Sequence, residues 1–261
     1  MNRNSETYPD GFVTGQVVAR TDWTDNLFSL RIRVHSLSFE AGQFTKLALR
    51  NVDGEWVRRA YSLVNHPDDY KHTNEAEFLI ITDSAGQLSP MLQRLVVNDE
   101  VAVSTYSSGF MTLSEIPKTA TDLWLLSTGT GIGPFLSLLD ESSVSLPNNN
   151  LVLVHAVRFE SELVYQEKIE QFKQRYGEKF HYVPIVSRES VTGTLRGRIP
   201  MLLESGELEK VTGITLSHAE SFLYLCGNPN MVKETREVLK QRGFRSNLRR
   251  EAGHFSSENY W

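Results

Sequence analysis

The sequence predicts two domains of different classes, an N-terminal antiparallel β-barrel followed by a C-terminal α/β domain built on a parallel sheet. Residues 12 to about 110 contain short segments in which apolar and polar residues largely alternate, as in strands buried on one face. From about residue 121 the strand-like segments are almost continuously apolar and alternate with helical patterns, as strands covered on both faces do. We place the domains at residues 11–112 and 113–261, with the boundary inside FMTLSEIPKTA.

Six segments of the first half are predicted strands, because they are rich in β-branched and aromatic residues. They are FVTGQVVART, LFSLRIRV, QFTKLALR, RRAYSLVN, EFLIITD and EVAVSTY. Turn-forming sequences such as NVDGE and NHPDD separate most of them, which favours a compact antiparallel barrel. A helix is predicted to begin in LSPMLQRL, with Ser89 as its N-cap and Pro90 as its first residue.

Four segments of the second half, DLWLLS, NLVLVHAVR, FHYVPIVS and SFLYLCG, are predicted to be buried parallel strands. Helical patterns lie between or after them. ELVYQEKIEQFKQRYG places Leu163, Ile169, Phe172 and Tyr176 roughly on one stripe. NPNMVKETREVLKQRG has a similar stripe, and Gly243 offers a C-terminal stop. Alternation of strands and helices predicts a parallel sheet with crossover helices.

The composition excludes several classes of protein. A net charge of −5 argues against general nucleic-acid binding. The single cysteine, Cys226, excludes an intramolecular disulfide and a cysteine-ligated iron–sulfur cluster within the chain. The histidines lack the spacing of a zinc site, and no apolar run is long enough to span a membrane. Since the first residues carry no secretory signal, we expect a cytoplasmic location.

One basic stretch stands out in this acidic chain. KQRGFRSNLRR, from Lys240 to Arg250, carries five cations and no acidic residue. Cations are favoured at the C-terminal end of a helix, so a solvated helix end accounts for the stretch. A docking patch for an acidic partner accounts for it equally well.

Two glycine turns follow predicted strands of the second half. In LWLLSTGTGIGPF a buried strand leads into a glycine-rich turn and a helix opened by Pro134, which suits a phosphate site as well as a merely tight turn. In LYLCGNPNMV, Asn228 is a suitable N-cap and Pro229 a suitable first helical residue. Ligands of parallel sheets bind at the carboxyl ends of strands, so both turns and Cys226 are expected to face one crevice. Cys226 by itself is equally typical of a small buried residue.

Arginines follow the strands where an NAD-selective fold tends to place an acidic residue. Arg158 ends LVLVHAVR, Ser187 and Arg188 end IVSR, and GTLRGRIP supplies Arg196 and Arg198. Arginines are common at surface strand ends, but guanidinium groups also suit an additional phosphate. Together these residues favour NADP over NAD.

In the barrel half, RRAYSLVN places Arg59 and Tyr61 on one face of a strand, with Ser62 beside them. This arrangement offers a cation for a phosphate and a ring for stacking, although an exposed arginine and tyrosine on a strand are also ordinary.

The order of these motifs resembles the ferredoxin–NADP reductase family: RAYS in a barrel, the TGTGIGP turn, VSR, CGNP and an aromatic C-terminus. The ending GHFSSENYW is most similar to the bacterial ferredoxin/flavodoxin–NADP reductases, and the resemblance covers residues 11–261. It implies FAD in the barrel and NADP in the second domain. The implied FAD-binding residues are Arg59, Ala60, Tyr61, Ser62, Ile80, Ile81, Thr82, Gln87, Leu88, Ser89, Thr130, Tyr260 and Trp261. The implied NADP-binding residues are Arg158, Ser187, Arg188, Arg198, Cys226 and Asn228.

The resemblance also implies roles. Arg59 contacts the pyrophosphate, Tyr61 stacks on the isoalloxazine, and Ser62 lies near its N5, while Cys226 lies beside the hydride path. Ser62, Cys226 and Tyr61 are therefore the expected catalytic residues. The segment Ile80–Thr82 lines the flavin site, and Gln87–Ser89 contacts a phosphate of FAD. The resemblance further implies that Ser187 and the strand-end arginines, Arg158, Arg188 and Arg198, bind the adenosine 2′-phosphate.

The sequence departs from the family at two places. Plant members end in a single tyrosine, whereas here Trp261 follows Tyr260. We expect Tyr260 to cover the flavin ring and Trp261 to stack on the FAD adenine, because two exposed rings at a chain end would be costly. Gly131 stands where close relatives are expected to have alanine.

The expected activity is hydride transfer between NADPH and FAD, followed by one-electron transfer to ferredoxin or flavodoxin by a monomeric enzyme without nucleic-acid or membrane partners. One alternative is an NADPH-dependent flavin or quinone reductase, or the reductase component of an oxygenase. Another is a non-catalytic regulator that binds nucleotides. NADPH-dependent bleaching of a bound flavin separates an enzyme from a regulator, and carrier reduction separates the two enzymes.

Overall fold

The computed structural model describes residues 8–141, 146–147, 149–248 and 250–259. The chain divides into two compact units, Met1–Gly109 and Phe110–Trp261. In the described part of the chain, no helix has both the length and the apolar character needed to cross a membrane.

The first unit is a barrel-like antiparallel sheet, as the alternating segments predict. Its six strands run in the order β4-β3-β6-β1-β2-β5. Their bounds are Phe12–Asp22 (β1), Leu27–Arg33 (β2), Phe44–Arg50 (β3), Trp56–Ser62 (β4), Glu75–Ile81 (β5) and Glu100–Ser104 (β6). The apolar face of the sheet is buried, with Leu30, Ile32 and Leu47 fully buried in one core. The period-2 pattern therefore defines which face of each strand is covered.

Two short helices interrupt this sheet, and sequence reasoning misplaced part of both. NHPDD is not merely a turn, because α1 spans Pro67–Thr73. The ring of His66 caps it by accepting a hydrogen bond from the backbone N–H of Asp68. The second helix, α2, spans Ser89–Gln93, so the prediction that Ser89 is its N-cap was wrong. The loop before α2 folds back onto it, and the Ser89 hydroxyl accepts from the backbone N–H of Asp83 at 3.0 Å instead of capping the helix.

The second unit contains a five-stranded parallel sheet with helices between its strands, also as predicted. The strands are Asp122–Thr128 (β7), Asn150–Val157 (β8), Phe180–Val186 (β9), Ser221–Gly227 (β10) and Phe255–Asn259 (β11). The helices are Gly133–Leu139 (α3), Gln166–Tyr176 (α4), Ile199–Glu204 (α5), Glu207–Thr212 (α6) and Pro229–Gln241 (α7). Residues of β7, β8 and β10 are buried along nearly their whole length, which explains their continuous apolar character.

The strand order β11-β10-β7-β8-β9 contains a reversal of direction. The chain moves outward from β7 through β8 to β9 and then returns to the other side of β7 to form β10. The carboxyl ends of β7 and β10 are therefore neighbours at a topological switch point, which is where ligands of such sheets bind.

The last strand, β11, was not predicted. It pairs in parallel with β10, from Leu223 opposite Phe255 to Gly227 opposite Asn259. Its sequence, FSSEN, is short and mostly polar, because it is an edge strand with only Phe255 buried. The pattern rules for buried parallel strands therefore do not identify it.

The ends of α7 match the sequence prediction. The Asn228 side chain accepts from the backbone N–H groups of Asn230 and Met231, and Pro229 is the first helical residue. After the helix, Gly243 adopts a positive φ of 84°, as a terminating glycine does. In α4 the stripe is shorter than predicted, since Leu163 precedes the helix.

Candidate cofactor sites

The two glycine turns meet at the switch point of the parallel sheet. The backbone N–H of Asn228 donates to the Thr128 hydroxyl at 2.8 Å, which joins the end of β10 to the end of β7. Gly227 has a φ of 131°, and a Cβ placed there would lie 2.7 Å from the carbonyl oxygen of Thr128. The two turns are therefore in direct contact at the strand ends, and their facing a common crevice stays a prediction.

Gly131 also lies against the second turn. A Cβ at this position would lie 2.5 Å from the carbonyl oxygen of Cys226, so a side chain would require the turns to move apart. Cys226 itself is fully buried at the end of β10. The close approach of the two turns explains why residue 131 is a glycine, which the sequence alone did not show.

The first glycine turn presents accessible backbone. Gly129 has a φ of 54°, and the space where its side chain would be is open. Thr130, the next residue, is buried. An open glycine at a strand end lets a phosphate approach backbone N–H groups, so this turn fits the pyrophosphate of a dinucleotide.

A histidine that sequence reasoning missed supports this turn. His155 lies in β8, is fully buried, and its Nε2 lies 3.2 Å from the carbonyl oxygen of Gly129. Burial lowers the pKa of His155 to about 4, although the Gly129 carbonyl opposes the shift. The ring is therefore neutral at neutral pH, with Nε2–H as the donor. The sequence feature that could have identified this residue is a single histidine within the apolar segment LVLVHAVR.

The strand-end arginines are brought together by backbone hydrogen bonds. The N–H of Arg188 donates to the carbonyl of Arg158 at 2.9 Å, and both N–H and Oγ of Ser187 donate to the carbonyl of Val157. The segment leading to Arg198 is held nearby, because the N–H of Val186 donates to the carbonyl of Leu195. These residues lie at the carboxyl edge of β8 and β9.

The guanidinium groups of this cluster have different surroundings. Arg158, Arg188 and Arg198 are exposed. Arg188 lies over the ring of Phe159, with 5.8 Å between its Cζ and the ring centroid. Arg198 forms an ion pair with Glu234 of α7 at 2.8 Å. Since all three guanidinium groups are exposed, each can bind a phosphate through several N–H donors.

In the barrel, the predicted flavin residues border an open seam. β4 pairs with β3 along its length, and β4 and β5 are the two edge strands of the sheet. Just past the end of β4, the chain meets β5 at the Leu63–Phe78 bridge and at the hydrogen bond from the N–H of Val64 to the carbonyl of Glu77. No ladder is described between β4 and β5 themselves, so this seam has Arg59–Ser62 on one edge and Ile80–Thr82 on the other. Two strand edges that face each other without a ladder between them can accept a planar ligand with polar edges.

The side chains at the seam fit a flavin nucleotide. Tyr61 is half-buried, and burial raises its pKa to about 12, with the nearby Arg59 charge opposing the shift. Ser62 and Ile80 are buried, whereas Arg59 and Ala60 are exposed. The Oγ1 of Thr82 is buried and has no hydrogen-bond partner among the described residues. An orphaned buried hydroxyl is costly and marks a place where a ligand would supply the partner.

Gln87–Ser89 lies at the start of α2, where only Gln87 is exposed. The Ser89 hydroxyl is bonded to the Asp83 backbone, and contact of this segment with a phosphate stays a prediction.

A second feature that the sequence did not reveal lies beside β11. Glu258 is opposite Cys226 in the register and accepts a hydrogen bond from the N–H of Phe110 at 2.8 Å. Burial raises the pKa of Glu258, while the backbone donors of Phe110 and Met111 oppose the shift. A cavity of about 310 Å³ is lined by this carboxylate and by Arg236 of α7.

The remaining sequence predictions concern the terminal rings, the basic stretch Lys240–Arg250 and metal binding. Tyr260 and Trp261 lie outside the described residues, as does Arg249 of the basic stretch. Within that stretch, Arg242 pairs with Glu209 at 2.8 Å and Arg245 pairs with Glu251 at 2.9 Å. Among the described residues, no group of three or more potential ligands could hold a metal ion.

Both units match known families. Residues 13–110 match the oxidoreductase FAD-binding domain, and residues 125–237 match the oxidoreductase NAD-binding domain. The chain is 46% identical to the flavodoxin/ferredoxin–NADP reductase of Escherichia coli (strain K12), over 96% of this chain and 99% of that one. It is 36% identical to the ferredoxin–NADP reductase of Azotobacter vinelandii, over 86% and 87% of the two chains.

A solved structure has the same fold. The ferredoxin NADP⁺ reductase of Neisseria gonorrhoeae, with bound FAD and NADP, superposes with a TM-score of 0.87 at 27% identity, covering 96% of this chain and 99% of that one.

The two units match FAD- and NAD-binding domains, and they contain the barrel seam and a switch point of the kind that binds nucleotides. Together these features define an oxidoreductase that uses a flavin and a nicotinamide nucleotide. The chain belongs to the flavodoxin/ferredoxin–NADP reductase family. Its cofactors are FAD and NADP.

Proposed function

We propose that this reductase takes electrons from NADPH and delivers them singly to ferredoxin or flavodoxin. FAD supplies the chemistry when bound, because it exchanges electrons in pairs with a nicotinamide and singly with a protein carrier. The observation that carries the proposal is the junction of the two glycine turns at the switch point, with arginines at the neighbouring strand ends. The Escherichia coli relative, at 46% identity, has ferredoxin and flavodoxin in its name.

The FAD site is assigned to the barrel seam. We assign the pyrophosphate to Arg59 and the isoalloxazine to the faces of Tyr61 and the Ile80–Thr82 segment. The open seam and the orphaned Thr82 hydroxyl support this assignment. Ala60, Ser62, Thr130 and Gln87–Ser89 complete the set. Their function is to bind and orient a planar ring and to exclude water from it, which is a positioning task.

The NADP site is assigned to the carboxyl edge of the parallel sheet. Arg158, Ser187, Arg188 and Arg198 bind the adenosine 2′-phosphate, and the backbone hydrogen bonds that gather them support this. Asn228 and the glycine turns hold the nucleotide backbone. Cys226, buried at the end of β10, seats the nicotinamide rather than acting as a nucleophile.

The remaining parts of the proposal concern the chain's surroundings. The basic stretch Lys240–Arg250 is proposed as the docking patch for an acidic carrier, supported by the exposure of Arg250. Replacing Arg245, Arg249 and Arg250 by glutamine should slow carrier reduction most at low salt, and an unchanged salt dependence would contradict docking there. Exposed Lys173 and Lys179 serve as control positions. A monomeric, cytoplasmic enzyme remains the prediction, which light scattering and cell fractionation test.

The principal experiment follows the bound flavin by stopped-flow absorbance. The purified protein should be yellow, NADPH should bleach it faster than NADH, and the organism's own ferredoxin or flavodoxin should restore the colour. A flavin that NADPH bleaches but neither carrier reoxidises would contradict the proposed acceptor. The result would instead favour a flavin or quinone reductase, which free FMN or a soluble quinone as acceptor would reveal.

Deleting Tyr260 and Trp261 tests the expected role of the two terminal rings. We expect faster loss of FAD on gel filtration and a changed KM for NADPH, because the rings are proposed to cover the flavin and the adenine. If the truncated enzyme keeps both its FAD and its KM, this part of the proposal is wrong.

A further inference from the structure

Among the arginines assigned to the 2′-phosphate, Arg198 is the one with an ion-pair partner in the described part of the chain. Its Nη2 lies 2.8 Å from Oε2 of Glu234. Arg158 and Arg188, at the neighbouring strand ends, have no such carboxylate among the described residues. The three guanidinium groups of one anion site are therefore not electrostatically equivalent.

The two partners of this ion pair come from different helices. Arg198 is the N-cap residue of α5, and Glu234 lies in the second turn of α7. The helices are in contact, since the Arg242 side chain donates to the carbonyl of Leu203 at 3.2 Å. Glu234 is thus held next to the site by the fold, although it belongs to none of the strand-end turns.

The exposure of the pair indicates that its purpose is not stability. The side chains of Arg198 and Glu234 are 52% and 41% exposed. Ion pairs this exposed contribute little to folding, because water solvates both charges and ordering long side chains costs entropy. Removing this pair should therefore leave the folded state nearly unchanged.

A ligand phosphate meets the pair differently. A 2′-phosphate that binds the Arg198 guanidinium brings up to two negative charges close to the Glu234 carboxylate, and like charges at such distances repel. The carboxylate must then leave the arginine or tolerate the phosphate, and either response weakens binding. A ligand without the 2′-phosphate meets no such penalty.

We propose that Glu234 competes with the adenosine 2′-phosphate for Arg198 and thereby limits how strongly the enzyme prefers NADPH to NADH. The inference rests on the proposed NADPH site. Glu234 is a positioning residue, since it acts through Arg198 and does not bind the nucleotide. Weaker binding of the 2′-phosphate also speeds release of NADP⁺ after each turnover.

The test compares two ligands that differ only in this phosphate. Calorimetry at low salt measures the Kd of adenosine 2′,5′-bisphosphate and of 5′-AMP for the FAD-loaded enzyme. Glu234→Gln should tighten the bisphosphate about 3- to 5-fold, the range expected when one partly solvated like charge is removed, and leave 5′-AMP unchanged. Added salt should shrink the difference.

Glu237→Gln is the matched control. Glu237 lies on the same helix, is exposed, and has no ion pair among the described residues, so the change in net charge is identical. In an Arg198→Ala background, Glu234→Gln should lose its effect, because the shared arginine is absent. A thermal melt checks that each variant is folded.

The possible outcomes are distinct. If Glu234→Gln leaves the bisphosphate affinity unchanged or weakens it, the inference is overturned. An equal gain with Glu237→Gln would also overturn it, since the effect would then come from net charge alone. If the wild-type enzyme itself does not prefer the bisphosphate to 5′-AMP, the proposed 2′-phosphate site fails, which is a separate result.

Discussion

The barrel seam and the switch point of the parallel sheet are both openings between neighbouring strands, but they arise differently. At the switch point the strand order forces the ends of β7 and β10 to be neighbours while their crossover connections lead away in opposite directions. At the seam, the chain meets β5 at the Leu63–Phe78 bridge just past the end of β4, and no ladder is described between β4 and β5. The opening at the switch point is a consequence of topology, whereas the opening at the seam depends on where backbone pairing with β5 stops.

The difference shows how each site responds to mutation. The switch point is built from backbone atoms in close contact, so small steric changes there should have large effects. The seam is built from side chains facing an opening, so changes of chemistry should matter there more than changes of volume. The following predictions test this contrast, starting with the largest expected effect.

Gly227→Ala should cause the largest loss. The new Cβ would lie 2.7 Å from the Thr128 carbonyl oxygen, and the φ of 131° is unfavourable for alanine. We expect kcat/KM for NADPH to fall on the order of 100-fold, because a displacement of about 1 Å in the nucleotide turn misplaces the reacting groups. Steady-state kinetics measure the fall.

Gly129→Ala is the matched comparison. This position also has a positive φ, of 54°, but the space around it is open. Only the conformational cost of a left-handed residue, about 1 kcal/mol, should apply. Equal losses for the two variants would contradict the importance of close backbone contact at the switch point.

Arg188→Ala should weaken NADPH roughly 10- to 100-fold, the usual range for losing a charge-assisted hydrogen bond to phosphate, and should leave NADH nearly unchanged. The KM values for the two nucleotides give the answer. Lys173→Ala, at an exposed cation of α4, controls for net charge. If both nucleotides lose affinity equally, Arg188 does not read the 2′-phosphate.

Thr82→Val tests the seam by changing chemistry at nearly constant volume. Its Oγ1 is buried without a partner among the described residues, so removal of this hydroxyl should stabilise the FAD-free protein by about 1 kcal/mol. With FAD present, the same change should speed FAD release about 3- to 10-fold, because one hydrogen bond is lost. Thermal melts and fluorescence of released FAD measure the two effects.

Thr121→Val provides the control, since the Thr121 hydroxyl is likewise buried and without a partner in the described part of the chain but belongs to the second unit. It should stabilise the protein without changing FAD release. Identical behaviour of the two variants would remove Thr82 from the flavin site.

His155 should have the smallest effect at neutral pH and a larger one in acid. Its folded pKa of about 4 lies below the ordinary value of 6.5, so the unfolded chain binds more protons between these values. The free energy of unfolding should therefore fall as pH decreases from 6.5 toward 4, by up to about 3 kcal/mol from this group. Denaturant titrations of wild type and His155→Leu should show a shallower pH dependence for the variant. Parallel curves would contradict a buried neutral ring.

Sequence reasoning succeeded where periodicity reflects burial. The six barrel strands and β7 to β10 follow from alternating or continuous apolar residues, because the covered faces must be apolar. It failed where structure depends on a local partner: His66 caps α1, and the Asp83 backbone holds Ser89 inside α2. It also missed β11, since an edge strand needs few apolar residues.

The site was predictable to a similar degree. Asn228 and the strand-end arginines stand in recognisable positions after strands, and the structure gathers them at one edge. The supporting groups could not be assigned in the same way. His155 and Glu234 act through one carbonyl and one guanidinium from distant segments, and no spacing in the sequence connects these partners.

The hydrogen bond from Asn228 to Thr128 has a consequence for the order of folding. It joins residues 100 positions apart, and it can form only after β10 has inserted beside β7. Contacts of such long range form slowly, because the intervening chain must be ordered first. During refolding, helical and barrel signals should therefore appear before the protein can bind a nucleotide. The time at which adenosine 2′,5′-bisphosphate binding appears therefore reports when the second unit has finished folding.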